Sequence, residues 1–361
     1  MTAVLGAAGQ ANVARQIRGL RHWAGSSLGR FSVALVYGGI SAEDQLYIAE
    51  SPPGQLSVTA LSATLTRLGV GFDILDPCHP SFIQDVAGFD VALSNLHGPF
   101  GEDGRLQGLL DYLRKPYCGS GVAASAAAAD KISCKRLMES LGVPTPRWRL
   151  WPDQRAVWPG HPVMVKPRMG GSSVGMTLVR RDADLAAAIG RAEAADPPGV
   201  LVEDYVPGLP VTVGLLELPD GILVFPPLAT RVYSGEFYDA DAKLDAAAEG
   251  TASCEQASLP GSVLAALTGR ALELWDGLGC RGMARVDFIA ADDGTVLALE
   301  VNTTPGMSYE SNFITAAGLC GLRHDDVVIA VLHEALTRAR YDAPLPVPVF
   351  TGVPAQGSSP F

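Results

Sequence analysis

Two apolar runs, Ala284 to Ala290 and Thr295 to Asn302, flank an Asp293-Gly294 pair, a dipeptide that favours a two-residue hairpin turn. A turn closed by Asp292 and Thr295 places Asp287 directly opposite Glu300 and Arg285 directly opposite Asn302, with all four on one face. Two opposed carboxylates, with Cβ atoms ~5 Å apart, repel each other unless a cation lies between them. Carboxylate and amide oxygens suit a hard divalent ion such as Mg2+, which takes its remaining ligands from water and substrate phosphates. Read alone, the same segment also fits a solvent-facing hairpin, in which Arg285 and Asn302 are equally at home.

A second segment, Val165-Lys166-Pro-Arg-Met-Gly-Gly-Ser-Ser-Val-Gly175, delivers a lysine from a strand into a Gly/Ser loop. Its backbone N–H groups can approach phosphate oxygens because no Cβ intervenes. It contains neither Gly-Lys-Ser/Thr nor Gly-x-Gly-x-x-Gly, and by itself it equally fits a flexible surface hairpin. A third segment, Leu96-His97-Gly98 to Gly108, follows a strand at the carboxyl edge of an α/β unit, where ligands of open sheets bind. His97 there can orient a substrate or carry a proton, or it can simply cap a helix. The turn Asn302-Thr-Thr-Pro-Gly306-Met-Ser-Tyr-Glu-Ser311 offers N–H groups and hydroxyls to a carboxylate.

The elements that must position these groups alternate. Phe31 to Tyr37, Gly71 to Leu75 and Phe89 to Leu93 read as strands, with a helix of Leu56, Leu61, Leu65 and Leu68 between the first two, the pattern of a doubly wound parallel sheet. Lys115 to Gly119 reads as a short closing strand and Ser125 to Leu141 as one helix stopped by Gly142. Further strands are expected at 161–166, 176–179, 199–203, 211–217, 222–228, 284–290 and 295–301, and helices at 184–195, 261–276 and 324–339. A net charge of -11 over 361 residues excludes a general binder of nucleic acid or anionic membrane. No apolar run reaches 18 residues, so no transmembrane helix is expected. The six scattered cysteines form no zinc or disulfide pattern and read as reduced thiols. Residues 1–30, with four Arg and no Asp or Glu, read as a mobile amino-terminal arm, and 341–361, with five Pro, as a flexible tail.

In order along the chain, Gly38-Gly-Ile-Ser-Ala-Glu43, Leu96-His-Gly98, Gly101-Glu-Asp-Gly-Arg-Leu-Gln-Gly108, Pro116 to Gly121, Asp130-Lys131, Lys166-Pro, Gly171 to Met176, Phe237-Tyr-Asp239 with Lys243, Arg285-Val-Asp287 and Glu300-Val-Asn-Thr-Thr-Pro-Gly-Met307 closely resemble the D-alanine:D-alanine ligase family of ATP-grasp enzymes. The resemblance covers roughly 31–340. It implies an α/β (α+β) fold, an ATP-grasp unit preceded by a doubly wound parallel-sheet domain, divided as 31–125, 126–210 and 211–340. It implies ATP and Mg2+, with Mn2+ as a substitute, small amino-acid substrates, a cytoplasmic homodimer and a role in peptidoglycan precursors. Lys131, Lys166 and Lys243 match the family's phosphate-binding lysines, joined by Gly171 and Ser173 of the loop, and Glu203 matches its adenine-binding hinge. Asp287, Glu300 and Asn302 match the magnesium ligands, and Arg285 the residue that stabilises the tetrahedral intermediate. The Gly306 amide and Ser311 match the binders of the attacking amino acid's carboxylate, while Glu43, His97 and Ser172 match the group around the first amino acid.

The chain also departs from the family pattern. About nine residues between Asp44 and Gly54 are inserted after Glu43, Leu244 stands where a tyrosine usually holds Glu43 and Ser172, Pro210 aligns with the ribose-binding carboxylate, and Asn312 replaces a leucine. These departures lie near the substrates and keep open a specialised ligase or cyclase acting on a non-standard amino acid or dipeptide. A nucleotide-binding regulatory protein that lost turnover is disfavoured by the intact Asp287, Glu300, Asn302, Arg285 and three lysines.

Overall fold

Val33 to Val36 are buried on both faces, as an apolar run in a parallel strand requires. This strand, β1 (Ser32–Val36), pairs in parallel with β2 (Gly71–Leu75) on one side and β3 (Val91–Ser94) on the other, giving the order β2-β1-β3 of a doubly wound sheet. The computed structural model describes residues 7–40, 45, 48–151, 158–170, 174–195, 199–232 and 252–342. Helices α2 (Ser57–Arg67), α3 (Phe82–Ala87) and α4 (Arg105–Tyr112) cover the sheet. The short strand expected after Lys115 is reduced to one bridge between Ala92 and Tyr117.

The described part of the expected amino-terminal arm, residues 7–30, is not a mobile arm. It forms α1 (Ala7–Ser27), whose Val13, Ile17, Leu20 and Ala24 recur at helical spacing and are buried in the largest core, against the carboxyl-terminal α10 (His324–Thr337). Arg21 closes this packing with bonds of 2.6 and 2.7 Å to the Asp326 carboxylate, and Trp23 meets His333 edge-on at 4.8 Å. The arginine-rich composition concealed an amphipathic stripe.

The single helix expected from Ser125 to Leu141 is two, α5 (Val122–Ala129) and α6 (Lys131–Ser140), broken at Asp130. Asp130 leaves the helical region at ψ 101° and caps α6, accepting hydrogen bonds from the Ile132 and Ser133 amides. Beyond it a four-stranded antiparallel sheet runs β4-β7-β5-β6, from β4 (Trp148–Trp151), β5 (Val163–Pro167), β6 (Thr177–Val179) and β7 (Val200–Asp204), with α7 (Asp182–Ala195) packed against it.

The third sheet is antiparallel. Its ten-residue strand β8 (Leu209–Leu218) pairs along one edge with β9 (Gly221–Val224) and then β10 (Leu228–Val232), which continues to β11 (Ala252–Gln256). Along its other edge lies β12 (Met283–Ala290), followed by β13 (Val296–Asn302). Helix α8 (Gly261–Leu278) buries Leu267, Ala271 and Leu274 on one face of this sheet and ends at Gly279, whose φ of 69° supplies the left-handed cap. Helices α9 (Asn312–Leu319) and α10 cover the other. All six cysteines are free thiols, and no helix among the described residues is long and apolar enough to cross a membrane. The tail expected from Tyr341 lies outside the described residues beyond Asp342.

Candidate active site

The β12–β13 hairpin carries Asp287 opposite Glu300 and Arg285 opposite Asn302, the pairing expected from the sequence. The route to it differs. Ala291 and Thr295 close a three-residue loop, with Gly294 in the left-handed region at φ 86°, so that pairing near the turn runs one residue out of the expected register. A bulge between Asp287 and Phe288 leaves Leu299 unpaired and restores the register where the polar residues stand. Val286 and Val301 are buried on the opposite face, so the alternation of the two strands holds the four polar side chains outward.

The Arg285 guanidinium offsets the charge of Asp287. Arg285 Nε and Nη2 bond to the two oxygens of Asp287 at 3.0 and 2.9 Å, and Thr212 of β8 donates to Asp287 Oδ1 at 2.6 Å. Burial works against the Arg285 charge, yet Asp287, Glu300 and Glu102 outweigh it and hold its pKa above the ordinary arginine value. Glu300 has no hydrogen-bond or ion-pair partner among the described residues, whereas Asn302 Oδ1 accepts from the Thr304 amide at 2.8 Å. A carboxylate with no donor among the described residues, facing a second carboxylate with an amide oxygen on the same face, fits a hard oxygen-seeking cation.

Beneath this hairpin lies a buried ionic cluster of which the sequence reading identified only two members. Glu203 on β7 accepts from Lys166 on β5 at 2.7 Å and pairs through its other oxygen with Lys135 on α6. The side chains of Lys135 and Glu203 are 1% and 2% exposed. Burial lowers the Lys135 pKa, with Lys166 adding to the effect and Glu203 opposing it; for Glu203 burial pushes upward, but the two lysines prevail and lower it. Lys135 Nζ also donates to Thr145 Oγ1 at 2.6 Å, and that hydroxyl donates to the Ala298 carbonyl at 2.7 Å, which ties the cluster to the bulged hairpin. The sequence signal for Lys135 was its position four residues after Lys131, one turn along the same helix face.

Lys131 donates from Nζ to the Gly170 carbonyl at 2.6 Å, at the entrance to the Gly/Ser loop. Next to it, Arg168 grips Asp130 with bonds of 2.9 and 2.6 Å. Burial would raise the Asp130 pKa, but the bonds from Arg168 and Ser133 lower it to about 2. His97 Nδ1 lies 3.3 Å from Glu102 Oε1, and Glu102 Oε2 accepts from the Gly98 amide at 2.9 Å. The third segment thus folds back on itself, with Glu102 within electrostatic reach of Arg285. The Gly306 amide has no acceptor among the described residues, while Ser311 donates to the Ser308 carbonyl at 2.9 Å and caps α9 through the Ile314 amide. Pro210 on β8 pairs with Ile289 of β12 and brings no carboxylate to its position. Glu43, Gly171, Ser172, Ser173, Lys243 and Leu244 lie outside the described residues.

The order of a doubly wound sheet, then two antiparallel sheets carrying a lysine loop and a carboxylate hairpin, defines an ATP-grasp ligase, an ATP-dependent enzyme. The family profile of the D-ala D-ala ligase C-terminus matches residues 145–333, and that of the N-terminus residues 76–120. A D-alanine–D-alanine ligase of Synechococcus sp. is 34% identical over 86% of this chain and 94% of its own length. Its counterpart in Alcanivorax borkumensis is 38% identical over 87% and 96%. The crystal structure of the Bacillus anthracis D-alanine–D-alanine ligase complexed with ATP matches with a TM-score of 0.70 at 25% identity, covering 85% of this chain and 97% of that one. The chain belongs to the D-alanine–D-alanine ligase family.

Proposed function

We propose that this enzyme joins two molecules of D-alanine, using ATP and Mg2+, to supply a dipeptide for cell-wall precursors. The observation that carries the reading is the Asp287/Glu300 pair, held opposite one another beside Arg285 and Asn302. The substrate choice rests on relatives of 34 and 38% identity that are D-alanine–D-alanine ligases.

In this reading a carboxylate oxygen of the first D-alanine attacks the γ-phosphorus of ATP, and ADP leaves with the electrons of the broken P–O bond. The neutral amine of the second D-alanine then attacks the acyl carbon and loses a proton, and phosphate departs with the C–O bonding pair. Mg2+, bound by Asp287, Glu300 and Asn302, would neutralise charge on the phosphates. Lys131, Lys166 and Lys243, with Gly171 and Ser173, bind the phosphates, and Glu203 stands at the adenine. Glu43, His97 and Ser172 orient the first amino acid. The Gly306 amide and Ser311 hold the carboxylate of the second. Arg285 exchanges its grip on Asp287 for the oxygen that becomes negative as the amine adds, a site where a fixed donor contributes most. The three-domain division, assembly as a homodimer and location in the cytoplasm belong to the same proposal.

The test is ADP release from Mg2+-ATP with D-alanine as the only amino acid, with product mass read from the same reaction. Stoichiometric ADP and the D-alanyl-D-alanine mass are expected, and Asp287→Asn or Glu300→Gln is expected to lower turnover about 100-fold or more. Full activity in either variant removes the metal assignment. ATP binding without D-alanine turnover moves the reading to a specialised ligase with another acyl substrate, in keeping with the altered 44–54 segment.

A further inference from the structure

The loop from Asn302 to Ser311 is held by side chains of the first domain as well as by its own. Asn95, buried at the end of β3, donates from Nδ2 to the Pro305 carbonyl at 3.1 Å. Ser57, at the start of α2, accepts from the Met307 amide at 3.0 Å. His324 Nε2 lies 2.8 Å from the Met307 carbonyl, and its Nδ1 lies 2.8 Å from Thr64 Oγ1.

These bonds have fixed directions. A carbonyl only accepts, so His324 carries its proton on Nε2 and its Nδ1 accepts from the Thr64 hydroxyl. Thr64 Oγ1 in turn accepts from Arg67 Nη2 at 2.7 Å. Arg67 also pairs with Asp325 at 2.7 Å and reaches the Tyr309 hydroxyl at 3.2 Å. The chain of donors therefore runs one way, from Arg67 through Thr64 and His324 to Met307. Burial lowers the His324 pKa and favours the neutral ring that this relay requires.

Peptide planarity makes the consequence specific. The Pro305 carbonyl and the Gly306 N–H belong to one trans peptide unit and point in opposite directions, so the bond from Asn95 also aims the Gly306 amide. The next unit, Gly306–Met307, is fixed through the Met307 N–H by Ser57. Ser57, Thr64 and Arg67 are spaced seven and three residues apart, which puts them on one face of α2. That helix follows directly on the inserted 44–54 segment.

We infer that Asn95 and Ser57, together with the Thr64–His324 relay, are positioning residues that aim the Gly306 amide and so set the affinity for the second amino acid. The inference rests on the reading of Gly306 as a binder of that carboxylate. It makes the first domain, through α2, part of the second-substrate site.

The test separates the two amino-acid constants in steady-state kinetics with Mg2+-ATP and D-alanine. Asn95→Leu, Ser57→Ala and Thr64→Val are each expected to raise the second-site KM about tenfold, the scale of one lost hydrogen bond, while the ATP KM and first-site KM stay within about twofold. His324→Gln, which keeps a donor near the Nε2 position, is expected to retain most of the affinity that His324→Leu loses. Hydrogen exchange at the Met307 amide should quicken about tenfold or more in Ser57→Ala. Unchanged second-site KM values in the Asn95, Ser57 and Thr64 variants, whether or not exchange quickens or the thermal midpoint falls, overturn the inference and leave the bonds purely structural. Absence of D-alanine turnover in the unmodified enzyme instead overturns the functional reading, and the inference with it.

Discussion

The cluster of Lys135, Glu203 and Lys166 makes an asymmetric prediction. A unit pair about 3 Å apart at an effective dielectric of about 20 interacts by about 5 kcal/mol. Lys135 and Lys166 sit on the two oxygens of one carboxylate, on the order of 5 Å apart, and repel by about 3 kcal/mol on the same scale. Burying the Lys135 ammonium costs several kcal/mol more, so its attraction to Glu203 is largely offset, and Lys135→Met is expected to change stability by no more than about 1 kcal/mol. Glu203→Gln removes the shared anion and leaves two ammonium groups facing each other. The escape is loss of one proton, which limits the cost to about 5 kcal/mol at pH 7 and about 2 kcal/mol at pH 9 for an unfolded lysine pKa of about 10.4. In that variant the folded state binds fewer protons than the unfolded state, so its stability rises with pH toward 10 and falls as pH drops. Urea unfolding followed by the fluorescence of Trp148, Trp151 and Trp158, which belong to or adjoin the β4-β7-β5-β6 sheet, measures both variants at both pH values. Equal deficits in the two variants, or a Glu203→Gln deficit that is the same at pH 7 and pH 9, would refute the assignment of Glu203 as the shared counter-charge.

The remaining predictions concern two of the places where the fold departs from sequence expectation. Arg21→Ala leaves the fully buried Asp326 carboxylate without its bidentate partner; because Arg21 itself is 43% exposed, a loss of about 1–2 kcal/mol is expected, seen as faster hydrogen exchange along α1. Unchanged α1 exchange would mean that the apolar stripe alone holds the helix. Asp130, with its pKa lowered to about 2, stabilises the folded state above the unfolded carboxylate pKa and loses that contribution as pH falls from about 4 to about 2. Asp130→Asn should therefore flatten the acid limb of stability by roughly 2 kcal/mol, and an acid limb identical to that of the unmodified chain contradicts the assignment.

Strands buried on both faces, such as β1, were legible because a continuous apolar run has few other uses, and α8 and α10 were legible from their helical periodicity. What escaped was governed by tertiary partners. α1 carries an apolar stripe that has meaning only once α10 exists to receive it. Asp130 breaks a helix that local propensity would continue, because Arg168, distant in sequence, holds its carboxylate. Thr212 and Asn95 are ordinary polar residues in sequence and gain a role only from the strand register and the loop opposite them. Lys135 was missed for a similar reason, since a lysine on a short helix normally faces water.

The hairpin shows how a correct expectation can rest on an incomplete path. A two-residue turn and an unbroken ladder predict the Asp287–Glu300 pairing, and a three-residue loop followed by a bulge produces the same pairing. The two departures cancel in register but not in geometry. The bulge adds local twist directly beneath Asp287 and Glu300, and the Ala298 carbonyl beside it accepts from Thr145, the partner of Lys135. The carboxylate pair is therefore anchored to the buried cluster of α6 and the β4-β7-β5-β6 sheet through two hydrogen bonds, which the uninterrupted hairpin did not predict. Any change in that cluster is transmitted to the hairpin by contact, and this gives Lys135, which touches no proposed substrate group, a place in the support of the site.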